Sequence, residues 1–306
     1  MTGAPIPIAE PQVATARAAT RSGGPNLGRG LLHLSLIVLM VIWAIPTIAL
    51  LVASFRPAAA TNTSGWWTAI TPPWQFTLDN YEYVLGRAGI DQAFINSFII
   101  TIPATVLVVM VAAFAAYAFA WMEFPGRNVL FVLVVGLLVV PLQITLIPVL
   151  NFFRDFTPGG IEINGTMLAV WLAHTGYGLP FAIYLLRNYF GSLPREVFES
   201  AAIDGASPST SFFRLALPMS VPALASLIIF QFLWVWNDLL VALVYLGGES
   251  SNHPLSVVLA NLTTSFGGGW QYLTAAAFVS MIVPIIVFLS LQRYFVRGIT
   301  GGAVKG

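Results

Sequence analysis

The sequence predicts an all-α integral membrane protein with six membrane-spanning helices, and three observations support this fold class. Hydrophobic residues make up 58% of the 306-residue chain and charged residues only 8%, whereas about a quarter of a soluble globular protein is charged. The mean hydropathy is +0.84, so most of the apolar surface must face lipid. A spanning helix needs about 20 mostly apolar residues, and six such runs occur: Leu31–Phe55, Phe94–Trp121, Val129–Leu150, Met167–Leu186, Met219–Leu246 and Tyr272–Val296.

Several of these runs contain proline, which membrane helices tolerate where neighbouring groups satisfy the freed backbone carbonyls. The prolines inside the runs are Pro46, Pro103, Pro141, Pro148, Pro180, Pro222 and Pro284. The second run also carries Ala112, Ala116 and Ala120 at four-residue spacing. Such a row of small residues predicts close packing between two helices.

The segments outside the runs divide the sequence into three parts. Residues 1–30 are rich in Pro, Ala, Gly and Thr, which predicts a disordered cytoplasmic tail. The run Leu31–Phe55 is longer than the apolar stretch of a typical signal peptide, so we interpret it as a spanning helix. Residues 31–296 then form the transmembrane domain, and residues 297–306 form a second cytoplasmic tail.

The distribution of basic residues predicts the orientation of the spans. If the N-terminus is cytoplasmic, the inner segments hold ten basic residues and the outer segments hold three. The inner ones are Arg17, Arg21, Arg29, Arg127, Arg187, Arg195, Arg214, Arg293, Arg297 and Lys305, and the outer ones are Arg56, Arg87 and Arg154. Because basic residues accumulate on the cytoplasmic side of a membrane, both termini are predicted to be cytoplasmic.

Enzymatic chemistry has little support in the sequence. The only lysine, Lys305, is followed by Gly306, so a phosphate-binding loop of the GxxxxGK[ST] type is impossible. His33, His174 and His253 are far apart and lack the HExxH spacing of a zinc site, and a GxSxG nucleophile motif is missing. We therefore expect no catalytic residue, metal or cofactor on this chain. The net charge of +1 gives no reason to expect a nucleic-acid partner. Energy for any transport must come from a partner or an ion gradient.

The inner loop Ser192–Pro218 predicts two short helices joined by a sharp turn. Pro194 suits the first turn of a helix, where its missing N–H is not needed. Gly205 ends this helix, because glycine adopts the left-handed cap conformation without strain. Ser207 then caps a second helix that has Pro208 at its first position.

The apolar residues of this loop allow two interpretations. Ala201 and Ala202 are small enough for another surface to approach the backbone, and Phe198, Phe212 and Phe213 are apolar in a segment that should be wet. An exposed apolar patch rimmed by charge is typical of a partner interface. An amphipathic hairpin lying on the bilayer surface would have the same composition.

A motif in this loop resembles that of a known family. The segment Glu199-Ser-Ala-Ala-Ile-Asp-Gly205, followed after nine residues by Leu215-Ala-Leu-Pro218, resembles the EAA loop of binding-protein-dependent ABC permeases, E-A-A-x3-G-x9-I-x-L-P. Two positions depart from that pattern, since Ser200 replaces the first alanine and Leu215 replaces isoleucine. Both changes are mild and leave the spacing intact.

Further segments narrow the resemblance. The stretches Phe232–Asp238 and Leu291–Arg297, with the tail Gly301–Gly306, are similar to maltose-type carbohydrate permeases, and specifically to the shorter of the two permease subunits. Trp171–Pro180 and Tyr184–Asn188 look most like the α-glucoside branch. The similarity covers roughly residues 31–306 and leaves the N-terminal tail without a counterpart.

The resemblance implies a type I ABC importer permease fold with a cytoplasmic coupling helix, in a prokaryotic inner membrane. Its partners would be a second permease subunit, a dimeric ATPase that holds ATP and Mg²⁺, and an extracytoplasmic solute-binding protein that delivers the sugar. Glu199, Ala201, Ala202 and Gly205 would form the element that docks on the ATPase. The charged neighbours that would orient it are Arg195, Asp204 and Arg214.

The resemblance also has implications for two further elements. The outer loop Gly247–Gln271 occupies the position of a family loop that reaches into the binding protein, and the tail Gly301–Gly306 corresponds to one that contacts the ATPase. The glycines Gly267, Gly268 and Gly269 suit a mobile loop tip or a plain connector. The aromatic residues of the outer loop Arg56–Ala93 suit an interfacial belt or a docking surface.

Sugars are recognised by hydrogen-bonding groups and flat aromatic faces, and one predicted span offers both. Gln231, Trp234, Asp238 and Tyr245 lie close to one face of the fifth span, together with Ala242. Asp238 is the only carboxylate well inside a predicted span, which makes it a candidate for the substrate pathway. A structural role at a helix break is the alternative. Other polar residues within spans favour contacts between helices: Asn96, Gln143 and His174.

The sequence allows two other functions. An ion-coupled secondary transporter of a small polar solute would need several buried acids or histidines to relay protons or sodium ions. Asp238 and His174 are the two candidates well inside the predicted spans. A membrane scaffold or channel subunit would transport no sugar. Only the ABC permease interpretation requires the EAA loop.

Overall fold

The computed structural model describes residues 27–86, 90–248, 250–262 and 269–303. In this part of the chain every regular element is helical. The α-helices are α1 (Leu27–Ser54), α2 (Ala58–Thr63), α3 (Asp79–Gly86), α4 (Ile90–Trp121), α5 (Arg127–Gly136), α6 (Leu142–Asp155), α7 (Met167–Phe190), α8 (Arg195–Ile203), α9 (Pro208–Ser211), α10 (Leu217–Met219), α11 (Val221–Trp236), α12 (Leu240–Tyr245), α13 (Leu255–Ala260) and α14 (Trp270–Ala303).

Four uninterrupted helices in the described chain are long and apolar enough to cross a membrane, within α1, α4, α7 and α14. Two further spans are bent pairs, which brings the number to six and agrees with the sequence prediction. The third predicted span is not one straight helix, because α5 with its following turn meets α6 at an angle of 107°. Pro141 lies at this bend with extended backbone, ψ 129°, so it cannot continue the preceding helix.

The fifth predicted span is also interrupted. The segment Pro208–Met219 meets α11 at 75°. Three residues then separate the end of α11 at Trp236 from the start of α12 at Leu240. The predicted outer boundaries shift as well. Helix α1 begins at Leu27 rather than Leu31, and α14 extends to Ala303, beyond the predicted start of the tail at residue 297.

The chain divides into two units, residues 1–48 and residues 49–306. In the first unit, α1 exposes its large apolar side chains, among them Leu31, Met40 and Trp43. Such exposure suits a helix whose surroundings are lipid tails, which are as apolar as the side chains themselves. Residues 1–26, where most of the predicted tail lies, are outside the described residues.

In the second unit, α4 and α7 form the centre of the core. Ala112 and Ala116 are fully buried, as the row of small residues predicted, and they pack with Ala182 and Leu186. Gly178 of α7 completes this contact region, since an added Cβ would lie 2.9 Å from the Gln231 amide of α11 and 3.1 Å from Val108 of α4. Small residues therefore allow the three helices to approach closely.

The segment after α1 folds around one buried arginine. Arg56 is only 1% exposed, and its guanidinium donates to the carbonyl oxygens of Ala60 and Ser64, both at 3.0 Å, and to the hydroxyls of Ser64 and Thr68 at 2.6 and 3.1 Å. These neutral oxygens replace the water lost on burial. The aromatic side chains of the same loop, Trp67 and Trp74, are 63% and 65% exposed, as either predicted interpretation of this loop requires.

Candidate functional site

The loop between α7 and α11 has the predicted helix–turn–helix geometry. Helix α8 follows Pro194, whose extended backbone places it just before the first turn. Gly205 is left-handed with φ +82°. Its N–H donates to the Ala202 carbonyl at 3.0 Å, and the Ala206 N–H donates to the Ala201 carbonyl at 2.9 Å. These two bonds form a Schellman cap, which ends a helix where a glycine takes the left-handed conformation.

The second helix of this hairpin is capped as expected. Ser207 precedes α9, and its hydroxyl accepts a hydrogen bond from the Thr210 N–H at 3.2 Å. Pro208 occupies the first helical position. A π-helical turn, Phe212–Ala216, then leads towards the fifth span. The hairpin is therefore defined by local backbone chemistry that is visible in the sequence.

The exposed face of the hairpin differs from the predicted one. Phe198 and Phe212 are 8% and 3% exposed, so the expectation that they form an exposed apolar patch is wrong. Phe198 stacks on Trp121 of α4 with ring centroids 3.9 Å apart, which anchors α8 to the end of a span. Phe213 alone of the three phenylalanines is exposed, at 56%.

The most exposed apolar side chain of the hairpin is one that the sequence analysis did not select. Ile203 at the end of α8 is 87% exposed. It adjoins the exposed Ala202, Asp204 and Gly205, while Ala201 is half-buried. This exposure leaves the Ile203 side chain accessible to another protein surface. The position of Ile203 inside the EAA-like segment is the sequence feature that could have identified it.

The charged neighbours of the hairpin occupy two places. Arg195 and Glu199 of α8 line a polar cavity of about 400 Å³ with Glu123, Arg127 and Arg187. Arg214 is exposed on the π-helical turn, and it does not line this cavity. The structure thus brings Arg195 and Glu199 together and leaves Arg214 apart.

A larger cavity of about 580 Å³ lies between the bent third span, α7 and α11. Its walls are mostly apolar, and Trp234, Tyr177 and Thr145 contribute the groups able to form hydrogen bonds. Of the four residues selected for the substrate pathway, Trp234 lines this cavity and is 38% exposed. Gln231 and Tyr245 are 4% and 0% exposed and lie within the packed interior.

Asp238 caps a helix in the interrupted fifth span. Its carboxylate accepts hydrogen bonds from the N–H groups of Val241 at 2.9 Å and Ala242 at 3.2 Å, in the first turn of α12. Asp238 precedes the N-cap residue Leu239, and its carboxylate satisfies two N–H groups that have no partner within the helix. His174 of α7 lies 3.7 Å from the same carboxylate oxygen and is 1% exposed. The backbone N–H groups of α12 are thus structural partners of Asp238 at a helix break. This contact favours the structural role for Asp238 over a place in the substrate pathway.

Hydrogen-bonded hydroxyl groups connect the cavity wall to α12. The Tyr177 and Tyr245 hydroxyl oxygens are 2.6 Å apart, and the Thr145 hydroxyl lies 3.1 Å from that of Tyr177. Tyr245 also donates to the Leu146 carbonyl at 3.2 Å. Tyr177 and Thr145 were missed because their partners lie on three different helices, and no local pattern relates them.

The outer loop Gly247–Gln271 is described except for residues 249 and 263–268, which include Gly267 and Gly268. The Asn96 amide of α4 donates to the carbonyl oxygens of Ser251 at 2.7 Å and His253 at 3.1 Å. The N–H of Leu255 donates to the Ser97 hydroxyl at 2.8 Å. The first half of this loop is thus attached to α4. Asn96 contacts an outer loop there and not another spanning helix.

Metal chemistry has no geometric support in the described chain, which holds no group of three or more His, Cys, Asp or Glu residues able to share an ion. Of the predicted inner tail, residues 304–306 are outside the described residues, and the described part continues α14.

Comparisons with known proteins agree with this geometry. Residues 93–301 match the family described as "Binding-protein-dependent transport system inner membrane component". The chain is 54% identical to the osmoprotective compounds uptake permease protein GgtD of Synechocystis over 90% of its length and 91% of that protein. It is 56% identical to the alpha-glucoside transport system permease protein AglG of Rhizobium meliloti over 78% of its length and 63% of that protein.

A solved structure supports the same fold. The chain superposes on a protein from the crystal structure of a bacterial ABC transporter involved in the import of the acidic polysaccharide alginate, with a TM-score of 0.73. The match covers 89% of this chain and 99% of the other at 21% sequence identity. At that identity the likeness concerns the arrangement of helices.

Proposed function

This chain belongs to the family of binding-protein-dependent transport system inner membrane components, and on that premise we propose that it conducts an α-glucoside or a related di- or oligosaccharide across the membrane. The chain is a multi-pass inner membrane permease subunit of an ABC importer, and it is not an enzyme. The ion-coupled transporter is set aside, because this family works with binding proteins. The sugar assignment is supported by the relative named as an alpha-glucoside permease.

The cavity beside α7 and α11 supports a sugar as the transported solute. Trp234 and Tyr177 contribute aromatic rings to its wall, and Thr145 adds a hydroxyl group. Sugar rings stack on such faces while their hydroxyl groups exchange hydrogen bonds with polar side chains. In this proposal Trp234 contacts the passing sugar, and Gln231, Asp238 and Tyr245 shape the wall from behind.

The observation that carries the transport mechanism is the rigid hairpin α8–Gly205–α9. Glu199, Ala201, Ala202 and Gly205 form its docking element on the ATPase, which holds ATP and Mg²⁺, and Ile203 adds an apolar contact. Because Phe198 stacks on Trp121, movement of α8 is transmitted to the end of α4. A closing ATPase dimer would thereby tilt the spans between inward-facing and outward-facing states.

We propose roles for the charged residues near the hairpin and for the partner subunits. Arg195 and Asp204 flank the docking element, and Arg214 lies on the following turn. The arginine distribution supports cytoplasmic termini, with the hairpin on the same side as the ATPase. A second permease subunit would form the other half of the pathway, and an extracytoplasmic binding protein would deliver the sugar near the loop Gly247–Gln271.

The experiment that tests this function is purification of the tagged chain from membranes, followed by uptake assays. We expect the chain to bring with it a second permease and an ATPase whose activity rises with a sugar-loaded binding protein. Reconstituted vesicles should then take up maltose, sucrose or trehalose in competition assays. A chain that purifies alone and transports a solute alone would contradict the importer, and an importer that ignores all α-glucosides would contradict the sugar assignment only.

A further inference from the structure

The polar cavity beside α8 lies where three spans end or begin. Its wall is formed by the last turn of α4, the first turn of α5, the last turn of α7 and the first two turns of α8. Three arginines line it, Arg127, Arg187 and Arg195, together with Glu123 and Glu199. Its volume of about 400 Å³ falls within the range of about 300–1,000 Å³ typical of small-molecule sites.

The five charged groups face one cavity without neutralising one another. Within residues 119–199, which the structure describes completely, they form no ion pair among themselves. The Arg127 guanidinium donates to the Met122 carbonyl at 3.0 Å. The Arg187 guanidinium lies 4.7 Å above the Phe131 ring, and its buried Nε has no hydrogen-bond partner. Glu123, Arg195 and Glu199 are exposed, and Arg127 and Arg187 are half-buried. The cavity therefore presents guanidinium and carboxylate groups that are available to pair with a charged ligand.

The surroundings of the cavity are those of a membrane surface. Phe119, Ala120 and Trp121 contribute the end of the α4 span to its wall. The Trp121 indole donates to the Phe190 carbonyl at 3.0 Å, and tryptophan prefers the depth of the lipid headgroups. Arg187 reaches its position from the last turn of α7 while its guanidinium stacks on a ring of the α5 span.

We propose that this cavity binds the headgroup of an aminophospholipid of the phosphatidylethanolamine type. The phosphate would lie among Arg127, Arg187 and Arg195, because a guanidinium pairs with two phosphate oxygens at once. The primary ammonium group would lie against Glu123, since Glu199 belongs to the element that docks on the ATPase. Basic pockets between spans on the cytoplasmic side recognise lipid headgroups in this manner. Such a lipid joins the start of α5, the end of α7 and the coupling helix α8, so the lipid composition would influence the position of α8.

The test measures lipid retention by the purified full-length chain in detergent, with native mass spectrometry as the readout. The probes are palmitoyl-oleoyl phosphatidylethanolamine, phosphatidylglycerol and phosphatidylcholine. We expect one phosphatidylethanolamine molecule to be retained about tenfold more strongly than phosphatidylcholine, whose ammonium group cannot donate hydrogen bonds. The double variant Arg127→Gln/Arg187→Gln should retain less of all three lipids, because each carries a phosphate, and Glu123→Gln should remove the preference for phosphatidylethanolamine over phosphatidylcholine.

Control variants keep the test decisive. Arg154→Gln removes a 64% exposed arginine that pairs with its neighbour Asp155 at 3.0 Å, and it should bind lipid as the wild type does. If the double variant does not fold, Arg195→Gln changes one exposed cavity residue and should weaken retention alone. Equal retention of all three lipids, or unchanged retention in the arginine variants, would overturn the proposal.

Two further outcomes separate other occupants from a lipid. If millimolar inorganic phosphate binds the chain and displaces the lipid, the cavity is a free phosphate site. If the ATPase subunits displace the lipid on assembly, the cavity is part of the ATPase interface. Either result overturns the headgroup assignment. The readout requires no transport, so it is independent of the sugar and coupling proposals.

Discussion

The coupling hairpin and the large cavity beside α7 are built in opposite ways. The hairpin occupies one continuous segment, and a left-handed glycine, a serine cap and a proline determine its geometry. The cavity takes its wall from the bent third span, α7 and α11, so residues almost a hundred positions apart become neighbours. A site made from one continuous segment can therefore be predicted from sequence, whereas a site assembled between helices depends on how those helices pack.

Gly205→Val tests the hairpin and should have the largest effect. Valine is strained at φ +82°, where an L-residue costs about 1–2 kcal/mol and a β-branched one more. We expect uptake to fall below about a tenth of the wild-type rate while the chain still inserts into the membrane. Gly160→Val is the matched control, since Gly160 has the same φ of +82° in an exposed turn after α6. If both variants transport equally well, the hairpin has no special coupling role.

Ile203→Ser tests whether the exposed tip of the hairpin makes a protein contact. Removing an apolar side chain from the centre of an interface weakens binding by roughly 1–2 kcal/mol, or about tenfold. We expect the affinity for the ATPase subunits, measured by titration in detergent, to fall by this factor without a change in thermal stability. Ile161→Ser, at a 60% exposed isoleucine in the connection after α6, serves as the control. Equal affinities for both variants would remove Ile203 from the interface.

A pair of glycine variants tests how α7 packs beside the large cavity. At Gly178 an added side chain meets Gln231 and Val108, whereas at Gly176 nothing lies within 4 Å of an added Cβ. Gly178→Leu should lower the stability of the chain by about 1–3 kcal/mol through overpacking, measured as thermal unfolding in detergent. Gly176→Leu should leave stability close to that of the wild type and reduce sugar uptake, because Gly176 lines the cavity. Identical behaviour of the two variants would show that this wall is not packed as described.

Asp238 variants test the hydrogen bonds at the start of α12, and we expect these variants to have the smallest effect on stability. Asp238→Ala removes the acceptor of two backbone N–H groups and should destabilise the chain by about 1 kcal/mol. Asp238→Asn keeps an acceptor oxygen at the same place and should retain most of the stability. The check is thermal unfolding of both variants beside uptake. A large loss of uptake in Asp238→Asn with unchanged stability would return Asp238 to the substrate pathway.

Sequence reasoning succeeded where physical chemistry acts over short distances. The number of spans followed from apolar run length, and the turn at Gly205 followed from the steric freedom of glycine. It failed for Phe198 and Phe212, which it placed on an exposed surface. Their burial depends on Trp121 and on aromatic rings of α4, and no spacing rule relates these residues to the hairpin. The 107° bend at Pro141 was equally hidden, because proline inside a span produces anything from a mild kink to a full break.

The membrane class, the helical composition and the local geometry of the hairpin follow from the sequence alone. Lipid forces backbone groups into helices, and glycine, serine and proline have fixed conformational preferences. The side chains that face the two cavities depend on the tertiary structure. It made Asp238 a helix cap, set Trp234 apart from Gln231 and Tyr245, and gathered three arginines and two glutamates at the ends of the spans. The reason is that side-chain exposure depends on helix rotation and crossing, which arise from packing between residues that are remote in the sequence.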